Sequence, residues 1–346
     1  MDDKKIQKIV FYQKSKKKIV PVTDREQILT AIEKLKYIAE NHWLDLPKSF
    51  RENWNHVALY NPSGDASKAS AVLIEPDDGA FSLSNNLNHL TGKEWIKFSC
   101  SWFIFNALPS DIAEERAVDP AAENHPAAFS PTMISGFVRF FTKEGETVFD
   151  PFMGIGTTLA ACDRTQRIGF GVELNPAFFS TALKRVPMFQ ENMWNTSIES
   201  FDWNCLPTLD FSISSPPYWD VLNRSTKDFR KTREKRALQS TYSNEVEDLG
   251  NIDDYTNFIS RLTDIYLRVG EKIKHKGFLV IIVKNVKKDG KLYPLAWDLA
   301  KALSSSLDLK DERIWIQDKA ALAPYGYPHS WVSNILHHYC LIFQKP

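Results

Sequence analysis

Asp150-Pro151-Phe152-Met153-Gly154-Ile155-Gly156-Thr157-Thr158 is the stretch whose reading decides the fold. It follows a short apolar segment, 147–150, that reads as a strand, and it leads into 157–164, which reads as a helix. Glycines between strand and helix let the backbone pass close to a ligand without a β-carbon clash, and the helix start offers free N–H groups to polar ligand atoms. The next strand, 168–173, ends on Glu173, where a carboxylate can accept hydrogen bonds from both hydroxyls of a ribose. Together they describe an adenosine site. Taken alone, the glycines read more readily as an ordinary βα turn. No Lys-Ser/Thr follows them, which argues against a phosphate loop, and Thr158 stands where a dinucleotide fingerprint has its third glycine.

Working outward, an apolar helix face made by Met133, Ile134, Phe137, Val138 and Phe141 precedes this unit, and a helix over 177–185 follows it, stopped near Pro187. A third strand is expected over 210–214. Asp253 is placed to cap a long helix with Tyr255, Phe258, Ile259, Leu262, Ile265, Tyr266 and Val269 on one face, ended by Gly277. The continuous apolar run 278–283 reads as a strand buried on both faces. A helix over 295–303 and closing strands over 313–317 and 338–343 complete an alternation that predicts helices around a mainly parallel sheet. Residues 1–92 read as an accessory region, with lysine clusters, a candidate DNA-recognition role and one helix over 24–40 carrying Ile28, Ile32, Leu35 and Ile38; residues 93–346 read as the catalytic domain.

The chemistry falls at the end of the third strand, on Ser215-Pro216-Pro217-Tyr218-Trp219. Two prolines fix the backbone and hold their carbonyls in one direction. An exocyclic base amine is a poor nucleophile because its lone pair is delocalised into the ring. A transferase must accept its hydrogens, and the Ser215 hydroxyl and the Pro216 carbonyl can take one each, with Tyr218 stacking on the base. Such stacking requires the base to leave the duplex. The bland reading of Pro216-Pro217 is a rigid loop after a strand.

Composition narrows the setting. Of 346 residues, 43% are hydrophobic and 25% charged, and the formal net charge is zero, so overall charge names no partner. Cys100, Cys162, Cys205 and Cys340 form no Cys-x-x-Cys pair, which argues against a zinc site or a disulfide framework, and His329, His337 and His338 read as ordinary polar residues; no metal is expected. The absence of a long apolar run gives the expectation of a soluble cytoplasmic protein without membrane contact.

With both segments in hand, the chain resembles the amino DNA methyltransferases, which make N4-methylcytosine and N6-methyladenine. Asp150 to Thr158 is similar to the family's cofactor motif I, Glu173 to its acidic motif II residue, and Ser215 to Tyr218 to its catalytic motif IV. His125-Pro126, with Phe129 and Pro131, is similar to its motif X. The order X, I, IV resembles a circular permutation of the commoner serine-type members. The resemblance implies a Rossmann-like fold with a seven-stranded, mostly parallel sheet and a closing hairpin. It also implies S-adenosylmethionine as cofactor, held by Asp150, Phe152, Gly154, Gly156, Thr157, Thr158, Glu173, Asn195, Thr196 and Pro126. Catalysis falls to Ser215, Pro216, Pro217 and Tyr218. Serine at the first motif IV position implies cytosine N4 as the target, with adenine N6 the alternative; an RNA methyltransferase and a catalytically dead DNA-binding protein are the further readings. Two departures stand out: Asn195-Thr196 occupy the place of an acidic motif III residue, and Lys284-Asn285 the place of a small or acidic pair in motif VI.

The implied partners are double-stranded DNA and a cognate restriction endonuclease. Residues 219–250 read as a DNA-contacting insertion, in which Arg224, Lys227, Arg230, Lys231 and Arg233 are the candidate phosphate contacts, against the plainer reading of a solvated loop. Neither oligomeric state nor target sequence is legible.

Overall fold

The computed structural model describes residues 9–15, 18–21, 25–48, 51, 71–74, 79–82, 85–106, 110–111, 113, 129–219, 248–288, 290–319, 322, 328–329 and 331–346. Arg224, Lys227, Arg230, Lys231 and Arg233, together with His125 and Pro126, lie outside them. The chain divides into two compact units, one of residues 1–100, 136–146 and 165–167, the other of 101–135, 147–164 and 168–346.

The first unit holds β1 (Ile9–Ser15), β2 (Lys18–Pro21), α1 (Arg25–Asn41), β3 (Ala71–Ile74), β4 (Gly79–Phe81) and α2 (Gly92–Phe98). The strands form an antiparallel sheet in the order β2-β1-β3-β4. Leu35 and Ile38 of α1 are buried, as their spacing predicts, and Ala31 joins them. α2 begins with a capping box: Thr91 accepts from the Glu94 N–H while the Glu94 carboxylate accepts from the Thr91 N–H. At the centre of the unit the Arg167 guanidinium, fully buried, donates to Asp45 at 2.7 Å, to the Thr142 carbonyl at 2.8 Å and to the Thr165 carbonyl at 2.6 Å. Asp45 also accepts from the Glu144 N–H at 2.8 Å and faces His89 Nδ1 at 3.4 Å. His42, Asp45 and His89 bring ligand-type atoms within 4.8 Å of one another, a grouping not legible in the sequence. Both Asp45 oxygens are engaged and the neighbouring charge is already a cation, so this cluster is an ion-pair network and not a pocket for a second cation.

The second unit carries β5 (Trp102–Ile104), the start of α3 (Pro131–Phe141), β6 (Thr147–Asp150), α4 (Thr157–Thr165), β7 (Ile168–Glu173), α5 (Pro176–Arg185), β8 (Met193–Asn195) and β9 (Leu209–Ser214). After them come α6 (Tyr255–Lys272), β10 (Ile273–Val283), the small hairpin β11 (Val286–Lys288) and β12 (Lys291–Tyr293), α7 (Leu295–Leu303), β13 (Asp308–Ile316) and β14 (His337–Gln344). The main sheet runs β5-β13-β14-β10-β9-β6-β7-β8. β8, β7, β6, β9 and β10 are parallel neighbours, and β14 lies antiparallel between β10 and β13. This is the seven-stranded arrangement with a closing hairpin, plus one strand: β5 pairs parallel to the outer edge of β13.

β6, β7 and β9 run close to their expected bounds because short apolar runs flanked by loop residues leave little freedom of register, whereas the three-residue β8 is not among the expected strands. The α6 face is as read, with Phe258, Leu262, Ile265, Tyr266 and Val269 all buried. Two expectations are corrected. The cap of α6 is Asp254, whose carboxylate accepts the Asn257 N–H at 2.7 Å, and not Asp253. Gly277 does not end that helix, which stops at Lys272; it lies inside β10, where a β-carbon would sit 2.6 Å from Ile273 Cγ2 and 3.0 Å from the Asp210 carbonyl oxygen. The glycine marks a close approach between β10 and β9, next to a register shift, and the strand runs on through it.

Candidate active site

Parallel strands point their carboxyl ends one way, and a cleft opens there between β6, β7 and β9. It holds a cavity of about 110 Å³ and is lined by Asp150, Phe152, Gly154, Thr157, Thr158, Glu173, Thr196, Ser215, Pro216 and Pro217, all read from the sequence. The turn after β6 is built as its glycines require. Gly154 and Gly156 have φ of 57° and 82°, and a β-carbon on Gly156 would come within 3.1 Å of Ala182 in α5.

Asp150 ends β6 as a buried carboxylate. One oxygen accepts from the Thr158 hydroxyl at 2.5 Å and the other from the Phe152 N–H at 3.0 Å, so it folds the loop back onto the first turn of α4. None of these partners carries charge. Burial therefore pushes its pKa up to about 7, with the two hydrogen bonds opposing. Glu173, at the end of β7, accepts from the Gly154 N–H at 2.8 Å and from the Asn175 N–H at 2.7 Å. Burial also raises its pKa to about 7, opposed by the Asn175 and Gly154 N–H groups and helped by Asp150 and Asp248. A carboxylate has about four lone-pair positions, so two backbone bonds leave Glu173 room for ribose hydroxyls.

On the other side of the cleft, β9 delivers the prolyl loop. Ser212 and Ser214 are buried within the sheet; the Ser214 hydroxyl bonds Tyr266 at 2.8 Å, and Tyr266 meets Phe152 edge-on at 6.0 Å. This ties the base of the prolyl loop to the cofactor turn. The Ser215 hydroxyl donates to Tyr218 at 3.3 Å. Trp219 is buried against Tyr255 and Tyr293 and anchors the far end of the loop.

Three residues differ from expectation. Asn195 does not line the cleft: its side-chain amide donates to the carbonyls of Glu173 and Leu174, at 2.8 and 3.1 Å, and so fixes the end of β7. Gly156 packs against Ala182 of α5 and, like Tyr218, is not among the lining residues. Phe129, noted in the motif X resemblance, lines the cleft, and the structure adds lining residues that the sequence did not reveal, among them Phe178, Asp248, Leu249 and Ile282. Asp248 is a buried carboxylate that also accepts the Gly250 N–H at 2.8 Å. It lies thirty positions after Tyr218 with no local pattern to mark it.

The sheet order and the cleft at its carboxyl ends define a Rossmann-like methyltransferase fold. The chain belongs to the N6/N4 DNA methylase family, which it matches over residues 3–184, a span that includes Asp150, Gly154, Gly156 and Glu173. It is similar to the type II methyltransferase M.Cfr9I of Citrobacter freundii, 37% identical over 67 residues, covering 19% of this chain and 22% of the relative. It is also similar to the type II methyltransferase M.BglI of Bacillus subtilis, 28% identical over 104 residues, covering 30% and 26%. The matched segments thus span about a quarter of those relatives. Among solved structures, TrmN from Thermus thermophilus aligns with a TM-score of 0.42 at 12% identity, covering 67% of this chain and 53% of that one. Among the described residues, no helix is long and apolar enough to cross a membrane.

Proposed function

We propose that the protein transfers a methyl group from S-adenosylmethionine to N4 of a cytosine flipped out of double-stranded DNA. One observation carries this reading: Ser215, Pro216 and Pro217 line the same cleft as Asp150, Gly154 and Glu173, so an amine held on the prolyl loop faces an adenosine-type ligand. The residues fit that cofactor. A turn with Gly154 at φ 57° in the cleft lining puts backbone without a side chain against the ligand, and acidic groups without a cation of their own suit a ligand that carries positive charge. Glu173 would hold the ribose, and Thr196 the adenine edge.

Bound there, S-adenosylmethionine supplies an electrophilic methyl group on a sulfonium. The protein prepares the nucleophile. The Ser215 hydroxyl and the Pro216 carbonyl accept the two amine hydrogens, which draws the nitrogen towards tetrahedral geometry and frees its lone pair. As the C–N bond forms, the C–S bond breaks, and the nitrogen sheds one proton to water past Ser215. No covalent enzyme intermediate is required. Serine at position 215 favours cytosine within a family that includes both amine targets. In the same reading, Arg224, Lys227, Arg230, Lys231 and Arg233 hold the phosphates beside the flipped base, the order of the motifs is a permuted one, and a cognate restriction endonuclease accompanies the protein in the cytoplasm.

The test is expression in a methylation-free host, with modified positions mapped by single-molecule sequencing and the nucleoside identified by mass spectrometry. N4-methylcytosine in a fixed context is expected. N6-methyladenine would overturn the inference from Ser215 while leaving the mechanism, and unmodified DNA from cells holding folded, cofactor-binding protein would overturn the reaction.

A further inference from the structure

Beside the prolyl loop lies a second group of residues that the cofactor cleft does not use. β10 and β14 pair with Ile282 opposite Cys340 and Val283 opposite Tyr339, and continuing that register by one residue sets Lys284 across from His338. Lys284 directly follows the last residue of β10, two positions after the cleft-lining Ile282, and its charge acts on both His337 and His338. His338 is buried, stacks on Trp315 with centroids 4.3 Å apart, and lies 6.2 Å from Tyr218 and 6.2 Å from Phe129. Phe129 itself lines the cleft. The rings of His338, Trp315, Phe129 and Tyr218 therefore form one cluster beside the prolyl loop, where Tyr218 bonds Ser215, with Lys284 next to His338.

Among the described residues, two polar groups here lack partners. His338 Nδ1 is buried with no hydrogen bond, and Lys284, half-buried, has no hydrogen-bond or ion-pair partner among the described residues. Burial lowers the Lys284 pKa with no carboxylate opposing it. Burial, then Lys284 and His337, push the His338 pKa down to about 3, so its ring is neutral near pH 7. Leaving such groups unpaired costs stability, a cost that an incoming ligand with its own polar edge would offset.

We propose that Lys284 and His338 form the far wall of the target-base pocket, and that Lys284 donates a hydrogen bond to the acceptor edge of the flipped base, selecting cytosine over adenine. This rests on the methyl-transfer reading above. Cytosine presents its amine, N3 and O2 in a row, whereas adenine presents its amine, N1 and then a C–H. With the amine held by Ser215 and Pro216, a donor on the far side meets a second acceptor only on cytosine. The neutral His338 ring, backed by Trp315, extends the aromatic wall begun by Tyr218.

The experiment uses duplex DNA carrying the mapped site, with either the target cytosine or an abasic position in its place, and measures binding in the presence of S-adenosylhomocysteine. Lys284→Met is expected to weaken the cytosine duplex roughly tenfold or more and to leave the abasic duplex within about twofold. On duplexes with adenine at the target position, the variant's ratio of adenine to cytosine methylation is expected to rise. Retained S-adenosylhomocysteine binding certifies the fold, and Lys284→Leu, which likewise removes the donor, answers the same question should the Met variant not fold. Equal loss on both duplexes, or no loss on either, overturns the proposal. Wild-type protein that modifies no DNA would remove the function reading and this proposal together; normal wild-type activity with an unaltered Met variant removes this proposal alone.

Discussion

Asp45 and Asp150 are both buried aspartates, 3% and 5% exposed, and they are opposites. Asp45 sits against the buried Arg167 guanidinium, and its pKa is lowered: desolvation, which would raise it, is outweighed by His89, Arg167 and the Glu144 N–H. Asp150 has only a hydroxyl and one backbone N–H, and desolvation wins, raising its pKa to about 7. The first carboxylate is complete without a ligand. The second, together with Glu173, is left short of positive charge at the mouth of a cleft, which is how a site for a cationic ligand differs from a structural ion pair.

The largest expected effect breaks the complete site. Arg167→Met strands an ionised Asp45 in the first unit and is expected to cost about 3–5 kcal/mol, read as a lowered denaturant midpoint. Asp150→Asn tests the incomplete site with the opposite sign. It removes an acid whose ionised form the fold disfavours, so at pH 8 it is expected to stabilise the free protein by about 2 kcal/mol while weakening S-adenosylmethionine binding; at pH 4 the stabilisation vanishes. Glu173→Gln is expected to change stability by no more than about 1 kcal/mol while weakening the cofactor roughly tenfold, because each lost charge-assisted bond to a ribose hydroxyl acts only in the complex.

The pH dependence sharpens the same contrast. Asp150 and Glu173 have folded pKa values of about 7 against ordinary values of 3.8 and 4.5, so their contribution is fully present below about pH 4 and is lost as pH rises towards 7. Asp45, with its lowered pKa, contributes above 3.8 and loses that contribution only as pH falls further. Between pH 4 and 7 the ligand-free protein is therefore expected to lose stability from its cleft, while the stabilisation by added S-adenosylmethionine grows as the carboxylates ionise. Thermal unfolding with and without the cofactor across that range checks both slopes; parallel curves would contradict the contrast.

The sequence revealed the two loops because their constraints are local. A turn that needs positive φ at Gly154 and Gly156 must carry glycines there, and a loop that aims carbonyls needs Pro216 and Pro217. What stayed hidden depends on distant partners. Arg167 meets Asp45 across 122 positions, Asp248 reaches the cleft from beyond 220–247, and β5 is three residues held by pairing with β13. Gly277 reads as a helix stop from sequence, since only the packed neighbour β9 shows that the position excludes a side chain. His338 reads from sequence as an ordinary polar residue and Lys284 only as a departure within motif VI; the β10–β14 register, continued by one residue, sets them opposite one another.

The central claim is that the prolyl loop performs the transfer and the glycine turn only holds the donor. The most direct measurement pairs two readouts on the same preparations of wild type and Ser215→Ala: transfer of labelled methyl from S-adenosylmethionine to unmethylated DNA, and affinity for S-adenosylhomocysteine. The account predicts a loss of transfer of roughly tenfold to a hundredfold with cofactor affinity unchanged. Undiminished transfer, or a loss that follows cofactor affinity in step, would contradict it.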